Sequence, residues 1–235
     1  MSLADLRKEY TLSALNEADL QADPVQQFNQ WFVQAAERRG GGGRLRGFGI
    51  GLYKAFRALL GEKPVDPNAM SLATADKQGR PSVRTVLLKG MDSRGFIFFT
   101  NYASRKGRDL AENPQAALVI HWAELERQVC VTGTVAKLPR EESEAYFRTR
   151  PRGSRLAARA SRQSQPVPNR EFLEQRMKEA AAQFPDQVPM PEDWGGYVLA
   201  PERIEFWQGR PNRLHDRLCY VRQPDGCWKI ERLSP

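Results

Sequence analysis

The first clear pattern is helical. In "DPVQQFNQWFVQAAERR" (23–39), Phe28, Trp31, Phe32 and Ala35 recur at helical spacing, Asp23 can cap, and Pro24 suits a first turn. Beyond Pro67 the period shortens to two. "AMSLATAD", "SVRTVLLKGM" and "GFIFFTN" alternate or run apolar between the turn-forming "KQGRP" and "DSRG", and read as strands. "SRKGRDLAENP" predicts a short helix ending before Pro114, and "QAALVIHWAELERQVCVTGTVAKL" predicts two further strands. "PREESEAYFRTRP" starts a helix at Pro139, with acids in the first turn where the helix dipole favours them. "NREFLEQRMKEAAAQF" reads as a surface helix. "YVLAPERIEFWQ", "RLCYVRQ" and "CWKIERL" read as closing strands, the last two joined by "PDG". Many short antiparallel strands with few helices predict a mainly β chain with peripheral helices (α+β), a closed or half-closed barrel. No internal repeat is visible.

The length of 235 residues suits one large domain or two small ones, and 40% hydrophobic with 27% charged residues is ordinary for a soluble globular protein. No apolar run approaches the roughly 20 residues of a membrane span, and the N-terminus has no apolar signal core. Cys130, Cys219 and Cys227 are too few and too scattered for a disulfide framework or a zinc site, so a reduced, cytoplasmic protein is expected. A net charge of +8 raises the question of nucleic acid. The excess is local, however. Arg38, Arg39, Arg44, Arg46, Lys54 and Arg57 form one acid-free block, and Arg148, Arg150, Arg152, Arg155, Arg159 and Arg162 form another. These twelve exceed the whole surplus of eight, so the remainder is slightly acidic.

The search for chemistry removes several patterns. "GFGIG" (47–51) resembles a dinucleotide fingerprint, but Leu52 replaces the last glycine and no strand precedes it. There is no phosphate-binding loop ending in Gly-Lys-Ser/Thr, no Gly-x-Ser-x-Gly elbow and no metal-spaced cluster. His121 reads as a strand residue with a structural hydrogen bond. Hard chemistry would then belong to a bound cofactor. Four segments remain. "RTVLLK" (84–89) reads either as a core strand whose charges emerge at its ends or as part of a site. Alternation puts Arg84 and Lys89 on opposite faces, so a shared site needs a bulge or a ligand that wraps around the strand. "FFTNYASRKGRDL" places Thr100, Ser104, Arg105 and Lys106 at a helix N-terminus, a phosphate site or an ordinary capped helix. "YFRTRPRGS" (146–154) sets a phenol, arginine forks and a serine across a helix end, for a small phosphorylated ligand or a solvated basic face. In "FWQGRPNRLHDR" (206–217), an extended chain would point Arg213, His215 and Arg217 the same way, after an exposed turn.

In order along the chain, "RTVLLK", "FFTNYASRK", "LERQV", "YFRTRPRGS", "SRQS", "IEFWQG" and "NRLHDR" resemble the pyridoxine/pyridoxamine 5'-phosphate oxidases. The resemblance implies a homodimer of FMN-binding split β-barrels, Greek-key-like and antiparallel, with FMN in clefts between subunits. It makes residues 23–235 a single domain behind a partly flexible segment, 1–22, with a Gly-rich basic insertion at about 40–61. By resemblance, FMN lies along Arg84, Thr85, Val86, Leu87, Leu88 and Lys89, near Phe99 and Thr100. Its phosphate meets Arg84, Arg105 and Lys106, with Ser104 opening the helix, and the barrel wall and partner subunit add Gln128, Gln163, Ser164, Trp207 and Arg217. Such a long ester touches both ends of one strand. The substrate phosphate falls to Lys89, Tyr146, Arg150 and Ser154. Arg213 and His215 close over the pyridine ring as the catalytic pair, Arg213 positioning the reacting group and His215 orienting it or relaying a proton.

The implied reaction converts pyridoxine 5'-phosphate and pyridoxamine 5'-phosphate to pyridoxal 5'-phosphate, the last step of its synthesis and salvage. Hydride passes from the 4' carbon to flavin N5, and O₂ is reduced to H₂O₂. No metal and no nucleic acid are implied. Arg159 stands where relatives often carry tryptophan, which would alter the edge of the cleft, and "LRKEY" (6–10) resembles a segment tied in some relatives to a second product site. The insertion reads as a surface loop without catalytic importance. Its alternative is docking of Tyr53, Phe56, Leu59 and Leu60 on an anionic membrane or another protein. Two rivals stay open: another FMN- or deazaflavin-using split-barrel oxidoreductase, and an RNA-binding protein that uses both basic blocks.

Overall fold

A computed structural model describes residues 9–39 and 66–235, so the glycine fingerprint look-alike, the 40–61 insertion and Arg7 lie outside the described residues. Its strands are β1 (Ala69–Ala75), β2 (Pro81–Leu87), β3 (Gly90–Asp92), β4 (Gly95–Asn101), β5 (Gln115–Trp122), β6 (Arg127–Lys137), β7 (Trp194–Gln208), β8 (Asp216–Arg222) and β9 (Trp228–Arg232). Its helices are α1 (Pro24–Arg39), α2 (Arg105–Glu112), α3 (Arg140–Thr149), α4 (Arg152–Ala160) and α5 (Arg170–Gln183). The strands hydrogen-bond in the order β2-β1-β5-β6-β7-β4-β3, with β8 on β7 and β9 on β8. The chain divides into two compact units. One holds the described residues of Met1–Ser71, with Leu118–Thr132 and Pro201–Pro235; the other holds Leu72–Ala117 and Gly133–Ala200.

In the first unit, α1 forms as its pattern predicts. The Asp23 carboxylate accepts from the Val25 amide at 2.9 Å, capping the helix beside Pro24. Phe28, Trp31 and Ala35 are buried on one face. Phe28 packs on Trp122 with ring centroids 5.9 Å apart, and Trp31 meets Phe206 edge-on at 5.1 Å. Burying such side chains stabilises by about 1.5–3 kcal/mol each. The second half of β7 pairs antiparallel with β8, setting Trp207 opposite Arg217, and β8 pairs antiparallel with β9.

In the second unit, the first half of β7 pairs antiparallel with β4, and β4 with β3. Leu72, Phe96, Phe98, Leu110, Phe147 and Leu199 are buried there. α5 is capped by Asn169, which accepts from the Phe172 amide at 2.9 Å. Leu156 and Ala160 of α4 form a small core with Ala180 of α5 and Val188.

Three sequence expectations change. β7 begins at Trp194, three residues before the expected Tyr197. Gly195 and Gly196 permit this, because a Cβ on Gly196 would lie 2.6 Å from Leu138 Cδ1 and 2.8 Å from Phe99 Cε1. Gly196→Ala is therefore expected to destabilise the protein by about 1–3 kcal/mol through overpacking, read as a lower urea midpoint at unchanged slope. Second, "RTVLLK" is not a core strand. β2 stands at the end of the strand order and alternates exposed with half-buried positions, leaving Val83 70% exposed. It ends at Leu87, before Lys89, so strand alternation does not govern the relation of Arg84 to Lys89. Third, Arg213, His215 and Arg217 do not share one extended strand. Pro211–Arg213 form a 3-10 turn, Asn212 and Arg213 are left-handed at φ 55° and 61°, and β8 starts only at Asp216. Proline at the first turn position and the two left-handed residues prevent extension. The preceding segment is exposed only at its end, at Pro211 and Asn212: Gln208 is fully buried and donates to the carbonyls of Leu125 and Glu126 at 3.2 Å. His121 lies on the exposed face of β5.

Candidate active site

The second unit contains a cleft of about 960 Å³, near the upper end of the range for small-ligand sites (roughly 300–1,000 Å³). Its lining includes Arg84, Thr85, Val86, Leu87 and Lys89 from β2 and the residues after it. Phe99, Thr100, Arg105, Lys106, Tyr146, Arg150, Ser154, Gln163 and Ser164, also expected, line it too. Among the described residues, five cations and no carboxylate line it. The structure thus brings together fourteen of the residues that the sequence assigns to cofactor or substrate. Leu88 is instead buried, and Ser104 supports the helix that borders the cleft.

Around Lys106 the local structure follows from the start of α2. Ser104 is the N-cap: its hydroxyl donates to the Asn101 carbonyl at 2.7 Å and accepts from the Gly107 amide at 3.3 Å. This holds the first turn so that Lys106, only 7% exposed, donates to Thr100 Oγ1 at 3.0 Å and Gln163 Oε1 at 2.9 Å. These partners are neutral. Burial first, and the charge of Arg84 second, pull the Lys106 ammonium down to about 8. Arg105 is exposed at the first helical position, where free backbone amides also favour an anion. Ser164 is left-handed at φ 69°, in a turn closed by the Gln165 amide donating to the Arg162 carbonyl at 3.1 Å.

At α3 and α4 the wall is aromatic. Phe99 and Tyr146 stack at 3.9 Å and 19°, and Phe99 stacks on Trp194 at 5.5 Å and 12°. The Arg150 guanidinium lies 4.7 Å from the Trp194 ring centroid, and burial holds its pKa below the usual arginine value. Arg150 Nη1 is buried without a hydrogen-bond partner among the described residues. An unsatisfied buried donor costs about 1–3 kcal/mol, so this atom calls for an acceptor. Trp194 was missed by sequence reasoning; the signal was "WGG", an aromatic followed by two glycines at a strand start. Arg159, expected at the edge of the cleft, lies 4.9 Å from the Phe184 ring and is not among the lining residues. Arg148 pairs with Glu144, and Arg152 donates to the carbonyls of Phe184 and Pro185. Much of the second basic block therefore serves its own unit.

The other expected residues belong to the first unit. Gln128 Nε2 lies 3.2 Å from Cys130 Sγ. Trp207 and His215 approach with centroids 4.6 Å apart, and Tyr10 meets both edge-on at 5.6 Å. His215 Nδ1 accepts from the Arg210 amide at 3.1 Å, which leaves Nε2 to carry the proton of the neutral ring. Arg213 is exposed. Arg217 forms a two-pronged ion pair with Glu205, at 2.8 and 2.9 Å, which raises its pKa.

Comparison with known proteins gives this arrangement a family. The pyridoxamine 5'-phosphate oxidase profile matches residues 53–184, and the pyridoxine 5'-phosphate oxidase C-terminal dimerisation region matches residues 194–235. The pyridoxine/pyridoxamine 5'-phosphate oxidase of Cupriavidus pinatubonensis is 52% identical over 233 residues, 99% of each chain. Among solved structures, PhzG from Burkholderia lata 383, in complex with tetrahydrophenazine-1-carboxylic acid, aligns with a TM-score of 0.77 and 29% identity, covering 95% of this chain and 99% of that one. A pyridoxamine 5'-phosphate oxidase-related, FMN binding protein from Nostoc punctiforme shares the fold at a TM-score of 0.62 and 18% identity, covering 83% of this chain and 100% of that one. The two profiles, the identity along almost the whole length and the split β-barrel fold show that the chain belongs to the pyridoxamine 5'-phosphate oxidase family.

Proposed function

We propose that the protein is an FMN-dependent oxidase that converts pyridoxine 5'-phosphate and pyridoxamine 5'-phosphate to pyridoxal 5'-phosphate in the cytoplasm, as a homodimer. The observation that carries this reading is the cleft itself: among the described residues, five cations, no carboxylate, an aromatic wall and a buried guanidinium N–H without a partner. It suits two phosphorylated aromatic ligands. Lys106, Arg84 and Arg105 would hold the cofactor's phosphate, with Thr100, Gln163 and Ser164 beside it. Arg150, Lys89, Tyr146 and Ser154 would hold the phosphate of the substrate. Bound FMN would supply the chemistry, accepting hydride from the substrate's 4' carbon and passing the electrons to O₂ to give H₂O₂.

The chain's own residues orient and neutralise. The Phe99–Tyr146 stack keeps Tyr146 in place, and Trp194 supports Arg150. Gln128, Trp207 and Arg217 are assigned to the flavin and Arg213 and His215 to the reacting end of the substrate, on the strength of the family motifs. His215 fits an orienting role, because its Nδ1 is already engaged by an amide that cannot take a proton. Its Nε2–H would act as a fixed donor.

An anaerobic titration tests the reading. FMN-loaded protein mixed with pyridoxine 5'-phosphate is expected to lose its visible flavin absorbance and to recover it when air enters. Flavin that binds but stays oxidised, with the amine substrate as well, would leave the fold and remove the substrate. The likeness to PhzG favours one second reading, a split-barrel oxidoreductase of an unphosphorylated substrate. Bleaching by unphosphorylated pyridoxine as fast as by its phosphate would select it.

A further inference from the structure

Asp109 has no part in the cleft as described, yet it is a carboxylate only 7% exposed, on α2. Thr74 Oγ1 lies 2.6 Å and Ser82 Oγ 2.8 Å from the same oxygen, Oδ2, and Arg84 Nη2 lies 3.8 Å from it. A carboxylate only accepts, so both hydroxyls direct their single protons to Asp109. Each hydroxyl oxygen is thereby left as an acceptor, and both accept from Arg84: Nη1 donates to Thr74 Oγ1 at 2.7 Å and Nη2 donates to Ser82 Oγ. Nη1 also donates to the Leu72 carbonyl at 3.2 Å. Three of the five guanidinium N–H groups thus hold the plane of Arg84 against the wall of the cleft, and the other two are left for a ligand. Without Asp109 each hydroxyl could turn its proton toward its neighbour, since the two oxygens are 3.1 Å apart, and the acceptors facing Arg84 would no longer be set. Burial disfavours the Arg84 charge, Asp109 favours it and Arg105 opposes it.

We propose that Asp109 is a positioning residue for the cofactor phosphate: through Thr74 and Ser82 it fixes the guanidinium plane of Arg84 and so sets the preference for phosphorylated over unphosphorylated flavin. The proposal rests on the reading of the cleft as a flavin site and deepens it. Asp109 does not itself line the cleft, so its effect is expected to run through Arg84 and to fall on the phosphate.

The test compares FMN and riboflavin binding to the full-length apoprotein by fluorescence titration. Asp109→Ala is expected to raise the Kd for FMN about tenfold and to leave that for riboflavin unchanged. In an Arg84→Ala background the same substitution should add less than about twofold, because its effect runs through Arg84. Unchanged FMN affinity, equal weakening of both flavins, or full additivity with Arg84→Ala would each overturn the proposal. If Asp109→Ala does not fold, Thr74→Val removes one link while keeping the carboxylate, and a FMN-specific loss of about threefold is expected. An unaltered FMN-to-riboflavin preference in that variant would likewise overturn it. A wild-type protein that binds neither flavin would instead remove the flavin-site reading, and the role of Asp109 with it.

Discussion

Lys106→Met is expected to yield protein that purifies without flavin and binds FMN roughly thirty- to a thousand-fold more weakly, a loss of about 2–4 kcal/mol. The size follows from where the ammonium sits. It is almost wholly buried, and its partners, Thr100 Oγ1, Ser104 Oγ and Gln163 Oε1, are neutral dipoles with no carboxylate among them. A charge held this way is poorly compensated until an anion arrives, so a phosphate recovers much of the desolvation cost. The same environment makes FMN binding depend on pH. In the empty cleft Lys106 is pulled down to about 8, and a bound dianion would raise it again. Below pH 8 the ammonium is already charged and affinity is flat on this account. Above it, binding must take up a proton, and FMN affinity falls about tenfold per pH unit until the raised value is reached.

Apoprotein stability runs the other way. The folded value lies below the ordinary 10.5, so the unfolded chain binds more protons between about 8 and 10.5, and stability rises with pH across that window. The methionine variant should lose both trends while riboflavin binding stays pH-independent in each protein. An FMN affinity that is level from pH 7 to 10 would show that Lys106 does not meet the phosphate.

Arg213→Ala and Arg213→Gly are both expected to keep FMN affinity within about twofold of wild type and to lose about a hundred- to a thousand-fold in kcat, the scale set by misplacing a reacting group. Backbone geometry separates this side chain's function from its contribution to folding. Arg213 sits at φ 61° and Asn212 at φ 55°, and for a residue with a Cβ the left-handed region costs about 1–2 kcal/mol. Strain of this kind persists where the surrounding structure imposes it, and it points to function. Glycine removes the penalty but adds unfolded-chain entropy of about 0.5–1 kcal/mol, so Arg213→Gly should unfold with a free energy equal to wild type or up to about 1 kcal/mol higher. A stable, flavin-loaded and nearly inactive protein is the expected result. Arg213→Lys keeps the charge but not the planar fork and should recover little activity. Wild-type turnover in the glycine variant would remove Arg213 from the reaction.

Local chemistry made much of this protein legible in its sequence. The α1 stripe of Phe28, Trp31 and Ala35, the Ser104 cap before Arg105, the acids that open α3 and the period-two strands all depend on neighbours within a few residues. Such neighbours are written side by side in the chain. The motif series identified the family, and most of the residues assigned from it to cofactor and substrate line one cleft. Arg213 and His215 escaped the alternation rule for an equally local reason, a proline followed by two left-handed residues. Nothing in "NRLHDR" taken as a pattern announces left-handed φ at arginine.

The sequence by itself determined most of the strands and helices, though not α4 or the split of "SVRTVLLKGM" into β2 and β3, as well as where the cations cluster and to which family the chain belongs. Only the tertiary structure decided the rest: that β2 is an exposed strand ending before Lys89, that Trp194 stands behind Arg150, and that Asp109 meets Arg84 through two hydroxyls from different strands. The physical reason is range. Propensity, capping and alternation act over a few residues, whereas the partners of Asp109 lie 35 and 27 positions away in sequence, and a buried charge takes its properties from whatever the fold sets against it.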